Sequence, residues 1–234
     1  MAPNRYFARA FTIIELLVVM AVIAILITIA YPVYTGIVER GKATKDLSNL
    51  RQIGIATQSF MNDNDGFLFA YNASWMSQLN PKYVASWGVF QSPFDRRTPS
   101  EGGTSSPVSP ISYGINQNIY PPPNNVVISG SRIMNPSGFI LFAPAQDDAA
   151  TVNFQGLATT AAPGVTLVGT SNTVKTTNPL AGGNTIGGTH GKRTRVNALF
   201  GDLHAENMLW TAFISTATST PNYPDQWTPY KPYP

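Results

Sequence analysis

Two hydrophobic patterns follow one another at the start of this chain. From Leu16 to Val38 the residues are uncharged and mostly apolar, with no polar face. A run of this kind is about as long as a helix needs to cross a bilayer. Beyond it, Leu47, Leu50, Ile53, Ala56 and Phe60 recur every three to four residues, with Arg40, Lys45, Asp46, Arg51 and Gln52 between them. That spacing predicts an amphipathic helix with one apolar stripe against a folded domain. Pro32, near the end of the first pattern, removes one backbone hydrogen bond and crowds the preceding turn. A single bent helix is therefore predicted from about Phe11 to about Met61, roughly 75 Å long at about 1.5 Å per residue. Asn62-Asp63-Asn64-Asp65-Gly66 reads as its stop, because Asn and Asp tolerate turn geometry and Gly supplies positive φ.

After this stop the pattern shortens. Val126 to Ile128, Phe139 to Phe142, Val165 to Val168, Val196 to Phe200 and Ala205 to Trp210 are β-rich stretches. Several of them alternate or are bounded by Gly, Pro and Asn. Val196 to Phe200, Gly201-Asp202 and Ala205 to Trp210 read as a β-hairpin, with Asp202 capping the turn through its own side chain. Ser171 to Gly188, low in charge and rich in Thr, Asn and Gly, predicts a long exposed loop. Thr218 to Pro234 is a proline-rich tail. The fold class is α+β: a long helix packed on a small antiparallel sheet, with residues 63–234 forming one β-rich domain.

Composition narrows the chemistry. The chain has no Cys, so disulfides and thiolate metal sites are excluded. Charged residues make up only 12%. The sequence pI near 9.2 suggests a basic protein. Yet Arg5 and Arg9 lie ahead of the apolar run, and without them the side-chain balance falls by two, from +3 to +1. Nucleic acid is not an expected partner. Lys192, Arg193 and Arg195 form a short basic cluster with few aromatics interleaved, which fits a solvated loop face. No G-x-S-x-G, no phosphate-cradling Gly-Lys-Ser/Thr loop and no H-E-x-x-H is present, so no enzyme is indicated.

The unusual residue is Glu15, a carboxylate at the boundary of the apolar run. A charge placed in a membrane helix is costly and normally has a partner. Ala10-Phe11-Thr12-Ile13-Ile14-Glu15-Leu16-Leu17-Val18-Val19 resembles the prepilin-type cleavage and methylation motif of type IV pilins and type II secretion pseudopilins. The resemblance implies a leader at residues 1–10, cut by a prepilin peptidase between Ala10 and Phe11, and N-methylation of Phe11. Ala10 is a small residue where the family usually has Gly. The helix, residues 11–62, would remain on the mature chain, with 11–38 serving as membrane span and then as filament core. The Phe11 amine and Glu15 lie four residues apart, on one helix face. In the family this Glu pairs with the terminal amine of a neighbouring subunit, so Thr12, Glu15 and Pro32 are the assembly residues the resemblance implies. It also implies a homo-oligomeric filament, inner-membrane assembly-platform partners, and a location in the inner membrane with the globular domain outside the cytoplasm.

Weaker strings extend the resemblance. Asn49-Leu50-Arg51-Gln52-Ile53-Gly54, Phe90-Gln91-Ser92-Pro93-Phe94-Asp95 and Ser112-Tyr113-Gly114-Ile115-Asn116 are similar, in that order, to strings of a pilin-like group common among Planctomycetes and Verrucomicrobia. Ser92 stands where that group has Cys. His190 through His204 is similar to its terminal His-x9-Asp-Gly element, with eleven residues between His190 and Asp202, and Leu203 in place of Gly. His190, Asp202 and His204 also raise an alternative, a membrane-anchored exported enzyme or metal-binding protein, since two imidazoles and a carboxylate can hold a divalent metal. No cofactor is expected. A structural Ca²⁺, frequent in major pseudopilins, has no assignable ligands here; Asn62 to Gly66 lacks the remaining carboxylates of a calcium loop.

Overall fold

The computed structural model describes residues 11–70, 75–94, 112–116, 119, 129–144, 167–168, 189–192 and 194–215. The leader, the Val126 to Ile128 stretch, the Ser171 to Gly188 loop and the proline-rich tail lie outside them. The chain divides into two compact units, Met1–Gly41 and Lys42–Pro234.

Helix α1 runs from Ile13 to Asp63 and continues through Pro32. Near the proline, hydroxyls turn back onto the backbone: Thr28 Oγ1 donates to the Ile25 carbonyl at 2.6 Å and Thr35 Oγ1 to the Pro32 carbonyl at 3.0 Å. These local bonds keep polar side chains satisfied in a stretch that has no packed neighbour. Within the first unit every large apolar side chain of the helix is exposed, from Ile13 through Val38.

In the second unit α1 buries one stripe. Leu50, Ile53, Ala56 and Phe60 are buried, as the spacing predicts; Leu47 is only half-buried. Asp46, placed by the same reading among the charged positions, is instead fully buried, together with Asn49 and Thr57. The helix stops as its residues dictate. The Asn64 and Gly66 amides both donate to the Met61 carbonyl, at 3.1 and 2.8 Å. Asp65 and Gly66 adopt left-handed φ of 53° and 79°. Asn64 Nδ2 covers the Phe60 carbonyl at 2.7 Å. Asp63 at the helix end accepts from Lys82 Nζ at 2.7 Å and from Tyr83 Oη at 2.9 Å, which holds its carboxyl below the usual carboxylate range.

The sheet has five antiparallel strands in the order β3-β1-β2-β4-β5. These are β1 Tyr113–Asn116, β2 Ile140–Pro144, β3 Leu167–Val168, β4 Arg195–Phe200 and β5 Ala205–Leu209. Strands β4 and β5 form the expected hairpin, registered from Arg195↔Leu209 to Leu199↔Ala205. Trp210 does not extend β5; it opens a short helix, α3, Trp210–Ser215. Strand β1 was not expected, because Gly114 and Asn116 are poor strand formers. Tertiary pairing overrides that weak propensity: β1 lies between β2 and β3, and Asn116 Nδ2 donates to the Ile140 carbonyl at 2.9 Å. Helix α2, Trp75–Leu79, and a 3₁₀ turn over Trp87–Phe90 add the aromatic part of the core. Trp75 meets Phe142 with ring centroids 4.7 Å apart and Phe90 edge-on at 5.3 Å, and Phe69 meets Phe60 at 4.8 Å.

One contact fixes how closely α1 approaches the hairpin. A Cβ on Gly54 would lie 3.2 Å from the Leu203 carbonyl oxygen and 3.1 Å from a Leu199 methyl. Only glycine permits that approach without displacing backbone.

Candidate functional site

The predicted assembly residues lie at the start of α1. Ala10 is outside the described residues; Phe11 is exposed. Glu15 closes a capping box with Thr12. Its Oε2 accepts from the Thr12 amide at 2.9 Å and from Thr12 Oγ1 at 2.8 Å, while the Glu15 amide faces Thr12 Oγ1 at 3.3 Å. This reciprocal arrangement satisfies donors that the first helical turn leaves unpaired. The carboxylate is exposed and held by Thr12 at the start of the helix. Such a group can receive a cation without further ordering.

Farther along α1, in the second unit, a carboxylate stands in the opposite environment. Asp46 has no exposed surface. Its Oδ1 accepts from Ser92 Oγ at 2.5 Å and Tyr113 Oη at 2.6 Å, and its Oδ2 from Asn197 Nδ2 at 2.8 Å. Burial pushes the Asp46 carboxyl above its ordinary range, opposed by those three donors and by the field of His190. Burial also pushes the Tyr113 phenol well up, with the neighbouring Asp46 charge adding to the effect. Asn197 carries the network outward. Its Nδ2 also reaches the Ala43 carbonyl at 2.9 Å, and its Oδ1 accepts from Asn207 Nδ2 at 2.7 Å. Asn207 Oδ1 accepts from Arg195 Nη1 at 2.7 Å, and Asn207 Nδ2 also meets His190 Nε2. The His190 ring is buried, stacks on Phe94 at 5.3 Å, and has its Nδ1 3.0 Å from Thr189 Oγ1.

This cluster draws on three of the weak strings: Ser92 from one, Tyr113 from another, and His190, Arg195 and Asn197 from the last. Sequence reading missed the residue at their centre. A signal was present, since Asp46 precedes Leu50 by four and Ile53 by seven, which puts it on the buried stripe. Its charge argued for the wrong face.

The structure separates the alternative trio. His190 bridges Arg195 at one end of β4, whereas Asp202 and His204 sit in the turn at the other end. Asp202 Oδ1 accepts from the His204 amide at 3.2 Å and lies 2.5 Å from its Nδ1, so this carboxylate shapes the turn. The His204 ring stacks on Phe200 at 4.4 Å. Among the described residues, no three His, Cys, Asp or Glu side chains converge on a point where a metal would sit. The turn also explains the local sequence. Leu203 takes a left-handed φ of 67°, where the resembling group has glycine. Gly201 lies where a Cβ would press on the Pro136 carbonyl at 3.2 Å. Of the basic cluster, Arg193 lies outside the described residues, while Arg195 begins β4 instead of lying in a loop.

Helix α1 is long and apolar enough to cross a membrane, and its apolar window has no buried residue. Residues 7–31 match the family described as the prokaryotic N-terminal methylation motif. This motif is the signature that type IV pilins and pseudopilins carry at their N-terminus. No curated protein and no solved structure matches the chain. The match thus covers most of the segment whose large apolar side chains are exposed.

Proposed function

We propose that this protein is a structural subunit of a type IV pilus-like or secretion pseudopilus filament. The observation that carries the reading is the coincidence of the methylation motif with the first part of α1, where every large apolar side chain from Ile13 to Val38 is exposed. Each Val, Leu, Ile or Met side chain left in water instead of buried costs about 1.5–3 kcal/mol, so this stretch must be covered, by lipid before assembly and by neighbouring subunits after it. In this reading a prepilin peptidase cuts between Ala10 and Phe11 on the cytoplasmic side, and Phe11 becomes N-methylated. The mature chain waits in the inner membrane with the head outside the cytoplasm. On assembly Glu15 receives the terminal amine of a neighbouring subunit, which lowers the cost of carrying both charges into an apolar filament core. The head, with its own closed core, coats the outside and needs no cofactor for this role.

The test is the mass of the N-terminus in the native cell. A mature chain beginning at methylated Phe11 is expected. A chain that still begins at Met1, or that has lost residues 11–38 entirely, overturns the reading.

A further inference from the structure

Besides Thr28 and Thr35, three polar side chains interrupt the exposed apolar surface of α1 between Ile13 and Val38. Glu15 stands at its start, and Tyr31 and Tyr34 stand toward its end, followed by Glu39 and Arg40. The two tyrosines are three residues apart and so share a helix face. They are 68% and 66% exposed, and neither hydroxyl has a partner among the described residues. A phenol of this kind is apolar in its ring and polar at its tip, which suits the boundary between hydrocarbon and headgroups.

The spacing matches that environment. Tyr31 lies sixteen residues and Tyr34 nineteen residues beyond Glu15, about 24 and 28 Å at about 1.5 Å per residue. The hydrocarbon core of a bilayer is about 30 Å thick. A second register competes with this one. Centring the whole uncharged run, Leu16 to Val38, would draw Tyr34 about 4–6 Å and Tyr31 about 9 Å below the boundary, whereas the first register leaves Tyr34 at the boundary and Tyr31 one turn, about 5 Å, beneath it, nearer to water for both hydroxyls.

We infer that Tyr31 and Tyr34 set the depth of the anchored helix, seating at one headgroup boundary of the bilayer and holding Glu15 at the opposite one. The inference rests on the anchored-precursor reading above. It places the membrane midplane near Ala24 and Ile25. It also means that the anchored chain keeps the Glu15 carboxylate at the headgroups, so that charge enters an apolar environment only when the subunit leaves the bilayer for a partner.

The absence of Cys makes the test direct, because one introduced cysteine is the only labelling site. The full chain carrying Leu17→Cys, Ile25→Cys or Val33→Cys is spin-labelled and placed in vesicles of phosphatidylethanolamine and phosphatidylglycerol. Collision with oxygen against a water-soluble nickel chelate then reports depth. The expected profile is deepest at position 25, with positions 17 and 33 shallow and nearly equal. Replacing both tyrosines, Tyr31→Leu with Tyr34→Leu, should sink the label at position 33 by about 4 Å and raise that at position 17. A wild-type profile with position 33 deeper than position 17, or a profile unmoved by the double leucine variant, overturns the role of the tyrosines while leaving the anchor standing. Labels that all stay open to the nickel chelate overturn the anchor itself, and the inference with it.

Discussion

Helix α1 carries two carboxylates that solve the same problem in opposite ways. Glu15 is satisfied within its own turn, by Thr12 three residues away. Asp46 is satisfied only by the folded head, through Ser92, Tyr113 and Asn197, which lie 46, 67 and 151 residues along the chain. The surroundings differ in the same sense. The first unit leaves its described large apolar side chains uncovered, whereas the second buries even some polar ones, Asp46, Asn49, Thr57 and Asn197 among them. A segment whose polar groups are satisfied locally can exchange lipid for protein neighbours without losing its helix. A segment tied down by long-range bonds cannot move without unfolding. The division therefore suits one part built to change partners and another built to keep its shape.

This comparison can be broken at several points. The largest effect should come from Glu15→Ala. Leader removal and head stability should be unchanged, while filament recovered by shearing falls on the order of tenfold or more, as expected when a terminal amine is buried without its partner. Normal filament yield would remove Glu15 from the assembly mechanism.

Next is Asp46→Ala, which leaves three buried donors and a cavity. Urea unfolding of the full chain in detergent, followed by tryptophan emission, should show a loss of about 3–5 kcal/mol. A loss below about 1 kcal/mol would mean that the network is not structural. Gly54→Val should follow, at about 1–3 kcal/mol, because its side chain must displace Leu199 and the Leu203 backbone. The same measurement checks it.

Asp46→Asn sharpens the comparison through pH. The folded carboxyl sits above its ordinary value of 3.8. The native head therefore holds its Asp46 proton more tightly than the unfolded chain does. Asp46 adds stability as pH falls through the raised folded value, and that contribution is lost again as pH rises. The amide cannot take up this proton, so the difference between wild type and Asp46→Asn should widen as pH is lowered from 7 toward 4. A difference that narrows would reverse the sign of the shift. The smallest effect is expected from Lys82→Met, whose partner Asp63 is likewise in solvent; the unfolding midpoint should stay within error.

Much of this protein was legible in one dimension, and for identifiable reasons. The apolar run, the amphipathic stripe from Leu50 to Phe60, the Asn-Asp-Gly stop and the β4–β5 hairpin all rest on neighbours close in sequence. Periodicity and turn chemistry report on such neighbours directly. The methylation motif is local as well, which is why residues 7–31 are enough to match it. The head's centre was not legible. Asp46 carries a charge that argues for solvent, and Tyr113-Gly114-Ile115-Asn116 has the composition of a loop. Both are placed by partners far away in the chain.

The sequence by itself determined where this chain is apolar, where its helix starts and stops, and which residues an N-terminal processing signal contains. Those properties depend on side chains a few residues apart. Only the tertiary structure decided that a buried carboxylate ties α1 to strands β1 and β4, and that His190 and His204 belong to opposite ends of one hairpin. It also decided how near a glycine lets helix and turn approach. These are outcomes of close packing in three dimensions, where the cost of an unpaired buried group selects partners that no local pattern names.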